Sequence, residues 1–395
     1  MKNTWTNPKV TIGNTAEGTF YFPRPFIEES IWEEIEKGNH VLIAAPRRVG
    51  KSSVMLALAE NCPENTRCLF QNIQGIKSEA EYYRRFYELL LQCLNQFDRG
   101  LKWVAQFVKG IKIEEITLDG VKFGDKNDIN FEQELKSLLT KIAESEVRVV
   151  LLLDELPEVL NNLRKQNRGE EAGNILNHLR ELRQNPKLRN RLNLVLAGSV
   201  GIQHVVKAIE GRIADINDFN PVAFDPMTRT EALNYIHWAT KDATVQYKPA
   251  LAEYLLDQVR HYIPYFLNLM LDEINKAARR ANDPAIDSSH VNLAFQAIVV
   301  NSDHFKEWKN RLNDYFEPAE KAFLMEVLVH IAHKDNISPQ ILYDFAIKHQ
   351  LQYAYMELVH GLEHDGYLTE QAGQYRFVSP FLQAFWRRDN PIYNA

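Results

Sequence analysis

Cysteine is scarce: Cys62, Cys68 and Cys93 are the only three in 395 residues. Their spacing matches no metal-binding pattern and offers no disulfide framework, which fits a reducing, cytoplasmic setting. Long apolar runs are missing too. No stretch approaches the ~18 residues that a membrane-spanning helix needs, and the N-terminus shows no charged-then-apolar leader. An excess of positive charge is also absent. With 46 Lys and Arg against 52 Asp and Glu the net charge is -6, so the chain as a whole lacks the electrostatic footprint of a nucleic-acid binder. Neither an internal repeat nor a low-complexity tract is present, which excludes a solenoid or a mainly disordered chain. What is there is an ordinary globular composition, 45% hydrophobic, long enough for two or three domains.

The most informative stretch is Val41–Ser53, V-L-I-A-A-P-R-R-V-G-K-S-S. An apolar run predicts a buried parallel strand, a turn follows, and Val54–Ala59 continues as an apolar helix. Strand, loop, then Gly50-Lys51-Ser52 opening a helix is the order of a phosphate-binding loop, G-x-x-x-x-G-K-[ST], with Ala45 in place of the first glycine. Each residue type has a task. Ala45-Pro46-Arg47-Arg48-Val49-Gly50-Lys51-Ser52-Ser53 is the candidate nucleotide-binding stretch, in which successive backbone N–H groups and the helix N-terminus cradle phosphates. Gly50 permits close approach, Lys51 supplies a point charge, and Ser52 offers a hydroxyl to Mg²⁺.

About a hundred residues later, Val147–Leu153 is a near-continuous apolar strand ending in Asp154-Glu155. Such a strand delivers acids to the carboxyl edge of an α/β sheet, where ligands bind. Asp154 would join Ser52 in the Mg²⁺ shell, and Glu155 would polarise an attacking water as general base. Leu192–Ala197 is a further core strand, running into Gly198-Ser199. Ser199 could touch a γ-phosphate or the water, or could cap the following helix, Val200–Ala208. Arg180, Arg183, Arg189, Arg191 and Arg212 gather around this edge, and one of them, with Arg183 the candidate, could act as an arginine finger; solvated helix charges are the other reading.

The remaining chain falls into order around these motifs. Met1–Gly18 is polar and reads as poorly ordered. Phe20–Pro25 leads into an amphipathic helix, Ile27–Lys37, and its aromatic-Pro-Arg piece, including Phe22 and Arg24, serves either as a strap over an adenine or as a packing segment. Arg67–Ile73 predicts a strand, and Glu79–Phe97 and Phe131–Glu144 predict helices. Between those helices, Ile111–Phe123 alternates with period two, as a β-hairpin insertion does. Ile216–Phe224 reads as a short strand. From Thr228 the pattern is helical: Thr230–Ala239, Ala250–Arg260, Tyr265–Ala281 and Ser289–Val299. Three helices and two short strands close the chain, the arrangement of a winged helix. Its third helix, Leu351–His364, carries no Lys or Arg, and Glu317–Ala395 holds six basic and ten acidic residues. Phosphate contacts need positive charge, so packing or protein contact is the better use of this segment.

This succession resembles the STAND branch of AAA+-like ATPases, in particular the archaeal-ATPase (MNS-type) group, which shares its architecture with origin-recognition ATPases. The resemblance spans about residues 18–390. Pro46-Arg47-Arg48-Val49-Gly50-Lys51-Ser52 is similar to the family's P-R-R-x-G-K-[ST], and Asp154-Glu155-Leu156-Pro157 to D-E-[FL]-P. Leu179-Arg180-Glu181-Leu182-Arg183 followed by Gly198-Ser199-Val200-Gly201 is similar to L-R-x-L-R and G-S-x-G. Arg376–Leu382 with Phe385-Trp386 looks like the closing motif. Three positions depart from the pattern: Ala45, Pro23 in the aromatic-Gly-Arg motif, and Tyr262 in the lid motif Gly-x-Pro, where Pro264 would face the adenine.

The expected fold is thus an α/β P-loop NTPase with a parallel sheet, AAA+/ASCE-like, followed by a helical lid and a winged helix. The expected boundaries are 1–226 (hairpin insertion about 111–124), 227–312 and 313–395. The resemblance implies ATP or ADP with Mg²⁺ as cofactors, slow hydrolysis, and a regulatory or signalling role, defence included, in which nucleotide state controls assembly with a protein partner or further copies. The alternative is an ATP-dependent DNA-binding or loader protein that uses the winged helix.

Overall fold

The computed structural model describes residues 5–64, 66–95, 113–116, 121–123, 129–199, 202–210 and 216–393. By the clustering of its contacts the chain forms two compact units. The first comprises Pro23–Ala44 and Lys51–Phe224; the second comprises the residues up to Phe22, the short segment Ala45–Gly50, and Asp225–Ala395.

The first unit is built on strands β1 (Val41–Ala45), β2 (Thr66–Asn72), β3 (Ile113–Ile116), β4 (Val121–Phe123), β5 (Arg148–Asp154), β6 (Leu192–Ser199) and β7 (Asn220–Pro221). Five of them form one sheet in the order β2-β5-β6-β1-β7. Pairing of β2 with β5, β5 with β6, and β1 with β7 is parallel. Val149–Leu153 is buried throughout, as a parallel strand covered on both faces must be. Helices α1 (Pro25–Glu36), α2 (Lys51–Glu60), α3 (Glu79–Asn95), α4 (Phe131–Glu144), α5 (Leu156–Lys165), α6 (Gly169–Gln184) and α7 (Ile202–Glu210) belong to the same unit. Their apolar stripes face inward: Ile27, Ile31 and Ile35 in α1, Leu135, Leu138, Leu139 and Ile142 in α4. Strands β3 and β4 pair with each other, antiparallel and apart from the main sheet; the turn expected between them, with Gly120, lies outside the described residues.

Two expectations change here. The strand expected over Ile216–Phe224 shrinks to Asn220–Pro221. Asn220 N donates to His40 O and Val222 N to Leu42 O, while Pro221 has no N–H to give, so pairing stays short at this sheet edge. The cysteines also depart from expectation: Cys62, just after α2, is disulfide-bonded to Cys68 in β2, across a Cα–Cα distance of 5.9 Å. The turn between helix and strand brings them together, and cysteine usage therefore gives no argument for a reducing compartment. Cys93 is a buried thiol, and burial raises its pKa.

The second unit is helical: α8 (Arg229–Thr240), α9 (Pro249–Val259), α10 (Pro264–Ala281), α11 (Ser288–Val300), α12 (Lys306–Tyr315), α13 (Pro318–Lys334), α14 (Pro339–Lys348), α15 (Tyr355–His364) and α16 (Pro380–Asp389). Caps mark the boundaries. Thr228 and Glu231 form a capping box ahead of α8, and proline opens α9, α10, α13, α14 and α16. The hairpin β8 (Leu368–Gln371) and β9 (Gln374–Phe377) turns through Ala372-Gly373, both at positive φ, the two-residue geometry of tight hairpins. Three helices, α13 to α15, followed by this wing give the winged-helix arrangement. Helix α16 packs on earlier parts of this unit through aromatic rings: Phe381 stacks on Phe266 of α10 at 5.1 Å and Phe385 on Phe305 at 5.0 Å.

The polar N-terminal segment is not loose where it is described. Lys9 N donates to Ala239 O (2.7 Å), Thr244 N to Thr6 O (2.9 Å), Asn268 Nδ2 to Thr11 O (2.8 Å), and Trp5 Nε1 to Asn275 Oδ1 (3.0 Å). Its polarity reflects long-range hydrogen bonding, which local composition does not reveal.

Candidate functional site

The sheet order carries the site. β6 lies between β1 and β5, so three strands end side by side at one edge: β1 into the glycine-lysine-serine loop, β5 into Asp154-Glu155, β6 into Ser199. Strand ends of this kind leave backbone groups and helix N-termini facing a common crevice. Lys51 and Ser52 open α2, and Lys51 is buried at 6% exposure. A buried ammonium needs polar or anionic company.

Ser52 Oγ donates a hydrogen bond to Asp154 Oδ2. Asp154 is itself 1% exposed, and its Oδ1 accepts from Glu155 N at 3.0 Å. Burial, then the neighbouring charge of Glu155, raises the Asp154 pKa, while Ser52 and Lys51 pull the other way. A hydroxyl joined to a buried carboxylate offers hard oxygen donors of the kind that Mg²⁺ takes beside phosphate oxygens. Among the described residues no group of three or more His, Cys, Asp and Glu could hold a metal, so a cation here would lean on its substrate for further ligands.

Glu155 has φ 66°, the left-handed region that a non-glycine residue adopts at a cost. Its backbone is held on both sides: the N–H donates to Ala197 O (3.0 Å) as well as to Asp154, and the carbonyl accepts from Glu158 N (3.2 Å). Pro157 follows in the first turn of α5, and a Cβ placed on Gly198 would lie 2.4 Å from Pro157 Cγ. Glycine at 198 is thus what lets the end of β6 pass the start of α5. Ser199 is the last residue of β6; its side chain, Val200-Gly201 and Arg212 lie outside the described residues.

The other sequence candidates have varied surroundings. Arg183 is held by Asp218, at 2.8 Å from Nη2 and 3.0 Å from Nε, and its guanidinium sits 4.1 Å from the Phe219 ring. Only 1% of that side chain is exposed, which suits a packing role in the sheet unit. Arg24 is buried with its guanidinium 5.9 Å from the Phe224 ring, and Phe22 packs edge-on against Tyr235 (5.1 Å) and Trp238 (5.4 Å). Ser53 lies in the first turn of α2. Pro264 opens α10, and its Cγ is 3.8 Å from where a Gly50 Cβ would sit. Tyr262, in the lid glycine's place, has its hydroxyl bonded by Arg229 at 3.1 Å.

The loop is anchored by contacts from far along the chain. Arg48 has φ 70° and Gly50 φ 101°. Arg48 Nη2 bonds Glu307 Oε2 at 2.8 Å, Arg47 Nη1 lies 3.7 Å from the same oxygen, and the Arg48 guanidinium stands 4.8 Å from the Tyr265 ring. Glu307 and Tyr265 are invisible to sequence reasoning, because no local pattern ties them to a loop more than 200 positions earlier.

No family model and no curated protein matches the chain. Solved structures do. A Walker-type ATPase of Pyrococcus abyssi is similar with TM-score 0.56 at 16% identity, over 95% of this chain and 99% of that one. The ORC2 protein of Aeropyrum pernix, determined as ADPNP and ADP complexes, is similar with TM-score 0.53 at 12% identity, over 92% and 91%. The fold is that of the AAA+-like P-loop ATPases. In this fold the strand inserted between the loop strand and the acidic strand is what brings Ser199 into line with Lys51 and Asp154, and the helical and winged-helix segments follow the sheet unit in the chain.

Proposed function

We propose that the chain binds ATP and ADP at Ala45–Ser53 and hydrolyses ATP slowly, its nucleotide state controlling conformation or assembly with a protein partner or further copies of itself. The observation that carries this is the Ser52–Asp154 hydrogen bond between the loop helix and the acidic strand, formed next to a buried lysine. The loop N–H groups and Lys51 would take the β- and γ-phosphates. Ser52 and Asp154 would hold Mg²⁺, which when bound neutralises phosphate charge and orients the γ-phosphoryl group. Glu155, its N–H bonded to Ala197 O and Asp154 Oδ1, would receive the proton of the attacking water. Lys51 would meet the charge that develops on the transferred group. Ser199 ends the neighbouring strand, where a hydroxyl can orient that water; Phe22, Arg24 and Pro264 are proposed to line the adenine side.

The winged-helix segment supports protein contact over DNA. Of its few cations, Arg387 is taken up by Ala332 O and Asp335, and Arg388 by the carbonyl of Val299. Phosphate-directed arginines need heads that can reach the backbone of the nucleic acid. The test is phosphate release with Mg²⁺·ATP: it should fall at least ~100-fold in both Lys51→Ala and Glu155→Gln, with nucleotide still bound by Glu155→Gln. Unchanged release in both variants would sink the proposal.

A further inference from the structure

The phosphate loop contains a backbone position that its own side chain is poorly suited to. Arg48, at φ 70°, is two residues before Gly50 at φ 101°. This spacing of left-handed residues turns backbone N–H groups toward one side, the concavity in which an anion is held. Glycine adopts such a φ freely; arginine does not. Something must hold Arg48 there. Glu307 Oε2 bonds its Nη2 at 2.8 Å, and Tyr265 lies under the guanidinium. A Cβ on Gly13 would be 3.4 Å from its Nη1, so the head is closed on that side too. Glu307 is firmly mounted in turn. It belongs to α12, where Trp308 is buried and its carbonyl accepts from Tyr367 Oη at 2.5 Å, and Lys309 pairs with Asp389.

We propose that Glu307 is a positioning residue for nucleotide binding: through Arg48 it holds the loop in its anion-receiving shape, and so ties nucleotide affinity to helix α12. The inference rests on the reading of Ala45–Ser53 as the nucleotide site. Its ion pair is partly exposed, 21% and 43% for the two side chains, so charge attraction alone is weak. The value of the contact lies in fixing a strained backbone before ligand arrives.

The experiment titrates a fluorescent N-methylanthraniloyl-ADP, with Mg²⁺, into the full chain. Glu307→Ala is expected to raise Kd by about tenfold, the scale of a left-handed penalty no longer held by a side-chain anchor. Arg48→Gly in the Glu307→Ala background is expected to bring Kd back to within about twofold of wild type, since glycine keeps the φ unaided. Arg48→Ala in that background should not restore it. A thermal melt of each variant reports that it is folded, and general damage from Glu307→Ala would not be undone by a glycine in the loop. Wild type that binds nucleotide while Glu307→Ala binds equally well overturns this inference alone; so does an Arg48→Gly, Glu307→Ala double variant that stays as weak as Glu307→Ala. Wild type that binds no nucleotide overturns the functional proposal and this inference with it.

Discussion

The end of β5 and the helix α10 bury polar groups in different ways. In the sheet unit the buried acid Asp154, at the end of β5, is met by one hydroxyl and one N–H, and its pKa is raised because burial outweighs them. In the helical unit the buried polar side chains of α10 are amides. Asn268 accepts from Tyr235 Oη at 2.7 Å and donates to Thr11 O at 2.8 Å; Asn275 accepts from Trp5. Amides with partners on both sides stabilise the fold they sit in. An acid kept from water with too little compensation does not, and Asp154 stands at the strand end where the nucleotide site is proposed.

Substitutions at these two places should act in opposite senses. Asp154→Asn removes the charge while keeping a group of the same shape for Ser52. It is expected to cut ATP hydrolysis by at least ~100-fold and yet to raise unfolding stability by about 1 kcal/mol at pH 7. The sign follows from linkage: a carboxyl whose pKa is raised on folding opposes the fold once pH exceeds its unfolded value, and fully so above the raised one. Asn268→Ala, which orphans the Tyr235 hydroxyl and the Thr11 carbonyl, is expected to lower stability by about 2 kcal/mol and leave the nucleotide chemistry in place. Chemical denaturation read beside phosphate release checks both, and equal losses of stability in the two variants would erase the contrast.

Acid sensitivity probes both units through their buried histidines. His40 and His178 in the sheet unit, and His261 in the helical unit, are each lowered to about 4, burial being the largest cause. Leu194 N donates to His40 Nδ1 at 3.1 Å, a bond that needs the neutral ring. A base whose pKa falls on folding stabilises the fold above its unfolded value of about 6.5 and loses that contribution as pH drops toward 4. Stability should therefore decline steadily from pH 6.5 to 4, by up to about 3 kcal/mol per histidine. His40→Gln should flatten the curve, and an unaltered slope would remove His40 from the account.

Reduction of Cys62–Cys68 is the mildest perturbation. The bridge joins cysteines six positions apart. Chain entropy places its contribution at about 2 kcal/mol, confined to the sheet unit. A reductant should lower the melting temperature of that unit by a few degrees, with Cys62→Ser reproducing the shift in oxidised protein. A melt insensitive to both would show the bridge to be thermodynamically idle.

Much of the molecule is legible without its structure. Continuous apolar runs announce β1, β5 and β6, because parallel central strands need no alternation. Period-two alternation announces the β3–β4 pair, and helical stripes announce α3, α4 and the run from α8 to α11. Gly50-Lys51-Ser52 and Asp154-Glu155 stand out since their residue types serve one chemistry at strand ends. Less is visible where the signal is not local. Helices Leu156–Lys165 and Lys306–Tyr315 escape the sequence pattern, the first hidden behind the acidic pair that precedes it, the second within a polar stretch that buries only Trp308, Arg311, Leu312 and Tyr315. The strand around Pro221 is overestimated because apolar composition does not report a missing N–H. Arg183 attracts notice as a cation near the site, yet its side chain is taken up by Asp218 and Phe219.

By itself the sequence determined the order of elements, the edge at which chemistry would occur, and the identity of Lys51, Ser52, Asp154 and Glu155 as its candidates. These follow from short-range rules: burial periodicity, glycine where backbone must yield, acids where a strand stops. Only the tertiary structure decided that Asp154 is buried against Ser52, that the N-terminal segment is tied down by Asn268 and Asn275, that two cysteines meet, and that Arg48 is held at positive φ by Glu307 and Tyr265. Each of those facts joins residues through the fold or depends on the solvent a group has lost, and neither is written in local composition.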